Sequence, residues 1–238
     1  MRNKQSGFTL VEIAIVLVII GLLLGGVLKG QELINSAKIK NLVNDMNGVS
    51  TAVYAYQDRF RALPGDDANA ATRWAAAATA TPPVVFPAAA TLGDTKVDGA
   101  FDSATAGDES VAFWDELRLA GFLGGSTGQT VAQPTNAVGG IMGVQSDVGI
   151  QTVGPTAGHP GLAVCTTNLL GRVAEALDNQ LDDGKPNAGA VKAWVQGVVG
   201  TTTLVQASAT PTITATSATV TTYVDDGNTM YTVCKKVT

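Results

Sequence analysis

The stretch from Phe8 to Leu28 constrains this chain most. It is 21 consecutive residues, FTLVEIAIVLVIIGLLLGGVL, with one ionisable side chain among them, Glu12. As an α-helix rising 1.5 Å per residue it is about 31 Å long, enough to cross the hydrocarbon core of a bilayer. The seven residues ahead of it, MRNKQSG, carry Arg2 and Lys4 and no acid. The positive-inside rule then predicts a cytoplasmic N-terminus and export of whatever follows Leu28. A secretory signal has a shorter apolar run with a small-residue cleavage site behind it, and GLLLGGVLKG supplies that only weakly. Glu12 is the anomaly: a carboxylate inside an apolar helix is costly unless something pairs with it.

The residues KQSGFTLVEIAIVLVIIGLLL resemble the class III leader of type IV prepilins and type II secretion pseudopilins. A short basic leader ends in Gly7, and Phe8, Thr9, Leu10 and Glu12 follow at the family's spacing, ahead of the apolar stretch. The resemblance implies cleavage between Gly7 and Phe8 by a prepilin peptidase on the cytoplasmic face, and N-methylation of the new Phe8 amine. It implies storage of the precursor in the bacterial inner membrane. Polymerisation through the N-terminal helix would follow, driven by an assembly platform protein and a cytoplasmic ATPase, into a filament in the periplasm or at the cell surface. In such filaments the glutamate meets the positive N-terminal amine of a neighbouring subunit, which gives Glu12 its partner and sets register. The alternative is an isolated anchor whose Glu12, about one turn inside Phe8, snorkels to the interface.

Two GxxxG pairs, Gly21 with Gly25 and Gly26 with Gly30, leave two helical faces without side-chain bulk and permit close approach of other helices. They also soften the helix. The family often has a proline where Lys29 stands here, whereas the first proline of this chain is Pro64; the stretch from Gly21 to Gly30 is the expected place for any melting of the helix on assembly.

Beyond the membrane, Ile39, Leu42, Met46, Val49, Val53, Tyr56, Phe60 and Leu63 recur at spacings of three and four, with Lys40, Asn41, Asn44, Asp45, Asn47, Gln57, Asp58, Arg59 and Arg61 between them. This is an apolar stripe on one face of a helix, expected to lie on the chain's own sheet because it lasts only about three and a half heptads, with a coiled coil as the alternative, and Pro64-Gly65 is the expected stop. The expected architecture is α+β and pilin-like: a long N-terminal helix, half transmembrane, packed on a C-terminal antiparallel sheet. Its segments are a leader at 1–7, a transmembrane and assembly half-helix at 8–28, an amphipathic half-helix at 29–63 and a globular head at 64–238.

In the head, WAAAATATPPVVFPAAATLGD reads as a connector with one short helix at most. Asp108 to Gly125 reads as a helix ended by Gly121 or Gly124, and TTNLLGRVAEALDNQLDDGKP as a second amphipathic helix closed by Asp183-Gly184. Strand-like segments at Val191 to Val199, Thr201 to Val205, Ile213 to Val224 and Met230 to Val237 predict an antiparallel meander. The Thr-rich run TTTLVQASATPTITATSATVTT fits strands with solvent-facing threonines, or an O-glycosylated or adhesive surface. Cys165 and Cys234, the two cysteines, form a disulfide if the head is exported, or else two buried thiols. Their pairing would tie the start of the second helix to the last strand, and in the resembled family a disulfide commonly braces the C-terminal region.

No enzyme chemistry is legible. GGSTG from Gly124 to Gly128 matches GxSxG, but a nucleophile elbow needs a strand before Ser126 and a helix after it, the QTVAQPTN that follows does not read as helical, and His159 is the one histidine. GDTKVDG from Gly93 to Gly99 opens like a calcium loop, yet Lys96 and Thr105 stand where ligands belong. Asp182, Asp183, Asp225 and Asp226 lie beside glycines and are weak calcium candidates, equally explained as turn caps. No cofactor is implied. Net charge is -5, and Lys235-Lys236 is the longest basic run, so the electrostatic footprint of a nucleic-acid binder is missing.

The expected function is a structural subunit of a type IV pilus-like filament. The alternatives are a minor pilin or type II secretion pseudopilin aiding protein secretion or DNA uptake, and a monomeric membrane-anchored binding ectodomain. The processed chain is long for a major pilin, which keeps the second of these open.

Overall fold

The computed structural model describes residues 10–88, 90–128, 133–147, 159–196 and 221–237. It divides into two compact units, Met1–Lys38 and Ile39–Thr238. Helix α1, Leu10–Phe60, supplies all the regular structure described in the first unit and enters the second.

In the first unit the helix is apolar on every side. An 18-residue window reaches a mean hydropathy of 2.8 with none of it buried. Leu10, Val11, Leu17, Leu22 and Leu28 are all more than 60% exposed, a surface that belongs in lipid or against other helices rather than in water.

In the second unit α1 changes character. Ile39, Leu42, Met46, Val49, Val53 and Tyr56 are buried, and Phe60 and Leu63 are half-buried against the same core, as the periodicity requires. The helix ends earlier than expected. It stops at Phe60, where Arg61 adopts a left-handed backbone with φ 56°, and the Arg61 N–H donates to the Gln57 carbonyl at 2.9 Å. Pro64-Gly65 therefore follows the stop instead of making it. Gly65 serves a packing need, since a Cβ there would lie 2.5 Å from the Glu109 carbonyl oxygen.

Two single-turn helices follow, α2 at Ala70–Arg73 ahead of the Ala-rich connector and α3 at Ala75–Ala78 within it, and α4, Glu109–Leu119, forms where expected. Four strands make one antiparallel sheet among the described residues: β1 Met142–Ser146, β2 Leu162–Leu170, β3 Val191–Val195 and β4 Met230–Lys236, in the order β1-β2-β4-β3. Helix α5, Gly171–Leu181, follows β2 directly.

Alternation along the strands sorts their side chains onto two faces. Met142, Val144, Leu162, Val164, Leu169, Val191, Ala193, Tyr231 and Val233 join α1, α4 and α5 in the main core. Ala163, Cys165, Cys234 and Trp194 meet Phe101 on the other face.

Three expectations are corrected. The sheet is not a meander, because β4 is inserted between β2 and β3. Thr166 to Leu170 belongs to β2 and not to a helix: this strand pairs on both edges and is buried on both faces, so it lacks the alternation that marks a half-exposed strand. Cys165 accordingly sits mid-strand and does not open a helix. Finally, Tyr223 and Val224 lie in irregular chain where a strand was expected. Thr221 and Thr222 are irregular as well, while Thr201 to Val205 and Ile213 to Val220, with nearly all of the Thr-rich run, fall outside the described residues.

Candidate functional site: the N-terminal helix and its head

Glu12 lies in the first turn of α1 as described, among exposed Leu10, Val11, Ile13 and Ile15. Gly7 and Phe8 fall outside the described residues. Gly21, Gly25, Gly26 and Gly30 are all helical, and a Cβ added at any of them would meet nothing within 4 Å. Their small size therefore relieves no crowding among the described residues; it leaves two grooves of bare backbone on an apolar helix. Lys29 pairs with Glu32 at 2.7 Å just beyond the apolar run, and both side chains are exposed. What such a helix can do chemically is insert and pack, with one carboxylate near its start to select a positively charged neighbour.

The head is braced by the Cys165–Cys234 disulfide. The two residues stand directly opposite each other on β2 and β4, fully buried, with Phe101 and Trp194 against them. His159 is buried beside this bridge. Its Nε2–H donates to the Cys234 carbonyl at 3.1 Å, and its ring meets Trp194 edge-on at 6.3 Å between centroids. Burial, with Lys192 and Lys236 nearby, holds its imidazole pKa down at about 4.

The acidic candidates separate. Asp182 and Asp183 lie with Asp178 so that one carboxylate oxygen of each falls within 4.8 Å of the others. Each already accepts hydrogen bonds from the fold: Asp182 from the N–H groups of Ala190 and Val191, Asp183 from the Lys185 N–H, and Asp178 from the Tyr223 hydroxyl at 2.7 Å. Asp225 accepts from Arg172 at 2.9 Å. Asp226 caps its own turn through the N–H groups of Asn228 and Thr229, which hold its carboxyl down at about 2. The loop from Gly93 to Gly99 turns N–H groups and not carboxylates inward: Gly93 and Thr95 donate to Asp66, and Lys96 pairs with Asp147 at 2.8 Å. Ser126 follows helix α4, with no strand between them, and has no elbow geometry.

One cluster escaped the sequence reading. Tyr56 of α1, Asp67, Arg73 of α2 and Glu116 of α4 meet in the core where α1 ends. The available signal was the pair Asp115-Glu116 inside FWDELRL, a helix too apolar around them to leave both in water.

The chain matches a family profile described as the prokaryotic N-terminal methylation motif, at residues 2–28. No curated protein and no solved structure matches it. That motif is the hallmark of type IV pilins and pseudopilins, and this chain joins it to a long apolar helix and a head with an antiparallel sheet and a disulfide, an α+β, pilin-like arrangement.

Proposed function

We propose that this chain is a structural subunit of a type IV pilus-like filament. The observation that carries the reading is the combination, within one exposed apolar helix, of a single carboxylate near its start and two glycine grooves that no described residue fills. Residues 1–7 are the leader, removed by a prepilin peptidase between Gly7 and Phe8. Residues 8–28 anchor the precursor in the inner membrane and later form the filament core. Residues 29–63 join that core to the head, which spans 64–238 and faces outward.

Glu12 pairs with the methylated Phe8 amine of the adjacent subunit. The cost of burying one charge is thereby offset by the other, and only the correct register brings them together. Gly21, Gly25, Gly26 and Gly30 let neighbouring helices approach. An assembly platform protein and a cytoplasmic ATPase supply the work of extraction. The role is structural, without catalysis.

The test is Glu12→Val, compared with wild type for membrane content and for protein in the sheared filament fraction. Full membrane insertion with filaments reduced at least tenfold is expected, since one unpaired buried amine costs more than the ~1.4 kcal/mol that a tenfold change represents. Unchanged filament yield would remove the pairing. A processed, membrane-retained protein without filaments in wild type would favour the pseudopilin role.

A further inference from the structure

The cluster at the end of α1 contains more acceptors than its protons can satisfy. Tyr56 has a phenol oxygen 2.8 Å from Asp67 Oδ2 and 3.0 Å from Glu116 Oε2. A phenol carries one proton and can donate to one of them. All three groups are buried. Asp67 is the better provided: Arg73 pairs with it through Nη1, and the Asn69 N–H donates to its other oxygen at 2.8 Å. Glu116 has the Gly65 N–H on Oε2 at 2.8 Å, while its Oε1 is buried with no hydrogen-bond partner among the described residues. One cation thus faces two carboxyls, and the second close oxygen–oxygen contact needs a second proton.

We propose that the head stores one proton between Glu116 and Tyr56 as a latch joining α1 to α4, and that loss of this proton at alkaline pH loosens the join. With Tyr56 donating to Asp67, the Glu116 carboxylic acid donates to the Tyr56 oxygen, and each oxygen–oxygen contact holds one proton. Removing that proton leaves two carboxylates on one phenol in a site where unpaired charge is costly.

The groups facing Glu116 are Tyr56 from α1, Asp67 and the Gly65 N–H from the segment after it, and Arg73 from α2. On α4 itself, Asp115 and Arg118 pair with each other at 3.6 Å, and the Glu109 carboxylate accepts from the Asp98 N–H. Arg73 is the one cation in this group that favours ionisation. Burial outweighs it and moves the Glu116 carboxyl up to about 8. The join matters to assembly because α1 is the element that polymerises in the reading above, on which only this consequence depends.

The experiment uses the full chain in detergent, with its five glutamates labelled at the carboxyl carbon for nuclear magnetic resonance. Glu116→Gln identifies the Glu116 resonance by its absence and keeps a hydrogen-bond donor to Tyr56. The wild-type Glu116 carbon is expected to hold its acid position at pH 6 and to move only near pH 8. In urea unfolding, the folded-to-unfolded ratio of wild type relative to the variant should fall about tenfold per pH unit between pH 5 and 8, because the unfolded chain has already lost this proton.

Titration of Glu116 in the ordinary carboxylate range, or the same pH slope in both proteins, overturns the proposal. If Glu116→Gln fails to fold, Glu116→Asp removes the same resonance and the wild-type titration decides alone. Filament yield enters neither readout, so failure here is distinguishable from failure of the filament reading.

Discussion

Acid should destabilise the head through His159, and the size of the effect follows from where this side chain sits. It is 1% exposed, donates to the Cys234 carbonyl on β4 and packs on Trp194. The folded head therefore holds the imidazole neutral until the pH nears 4, whereas the unfolded chain takes up a proton near 6.5. Between those values the unfolded state binds the extra proton, so stability is complete above pH 6.5 and falls as the pH drops through the window. At 1.36 kcal/mol per pH unit, the loss reaches about 3 kcal/mol at pH 4.

Carboxyls such as Glu116, whose pKa is raised by burial, change stability in the opposite sense over the same range. The assay must therefore compare wild type with His159→Gln, which keeps an N–H donor and does not titrate. Urea midpoints are measured for both at pH 7 and pH 4 in detergent. Wild type should lose about 3 kcal/mol more than the variant on acidification. Because the chain has one histidine, its imidazole resonance reports the same equilibrium directly. An identical loss in both proteins, or an imidazole that titrates near 6.5, would refute the reasoning.

Two further outcomes are expected. Replacing both Cys165 and Cys234 with Ala should cost about 4 kcal/mol in urea unfolding, the chain-entropy value for a closed loop with a sequence separation of 69; a loss under 1 kcal/mol would show that the bridge does not constrain the unfolded chain. Gly143→Ala should lower the melting temperature markedly, by about 1–3 kcal/mol of stability, because the new methyl would overlap the Phe101 backbone carbonyl against β1; an unchanged melting temperature would mean that this segment shifts freely.

The parts of the fold that the sequence made legible are those in which one element carries its own pattern. Ile39 to Leu63 announced a buried face because each residue three or four positions on meets the same core. The apolar run announced a helix long and apolar enough to cross a membrane because only one ionisable side chain, Glu12, interrupts its 21 residues. β2 was hidden for the opposite reason: its LAVCTT is buried on both faces, and Leu169 fell by chance into helical spacing with Val173 and Leu177. β1 was hidden by Gly143, where a side chain would collide with the Phe101 backbone.

The Cys165–Cys234 bridge needs the two Cα atoms within reach of each other, a condition that the neighbouring strands β2 and β4 meet, but two cysteines in a sequence do not choose the strand order. The proton-sharing cluster was least legible. Glu116 lies 60 residues from Tyr56, and no local pattern shows that Gly65, Asp67 and Arg73 close around both. Glu12 and the four glycines proposed for assembly stand out in the sequence because they are polar or small where everything around them is large and apolar.

The most direct test of the central claim is negative-stain microscopy of sheared surface material, joined to mass analysis of the N-terminus of the recovered protein. The account predicts filaments whose subunits begin at Phe8 and carry one methyl on its amine. Surface material without filaments, with the protein still beginning at Met1, would contradict it.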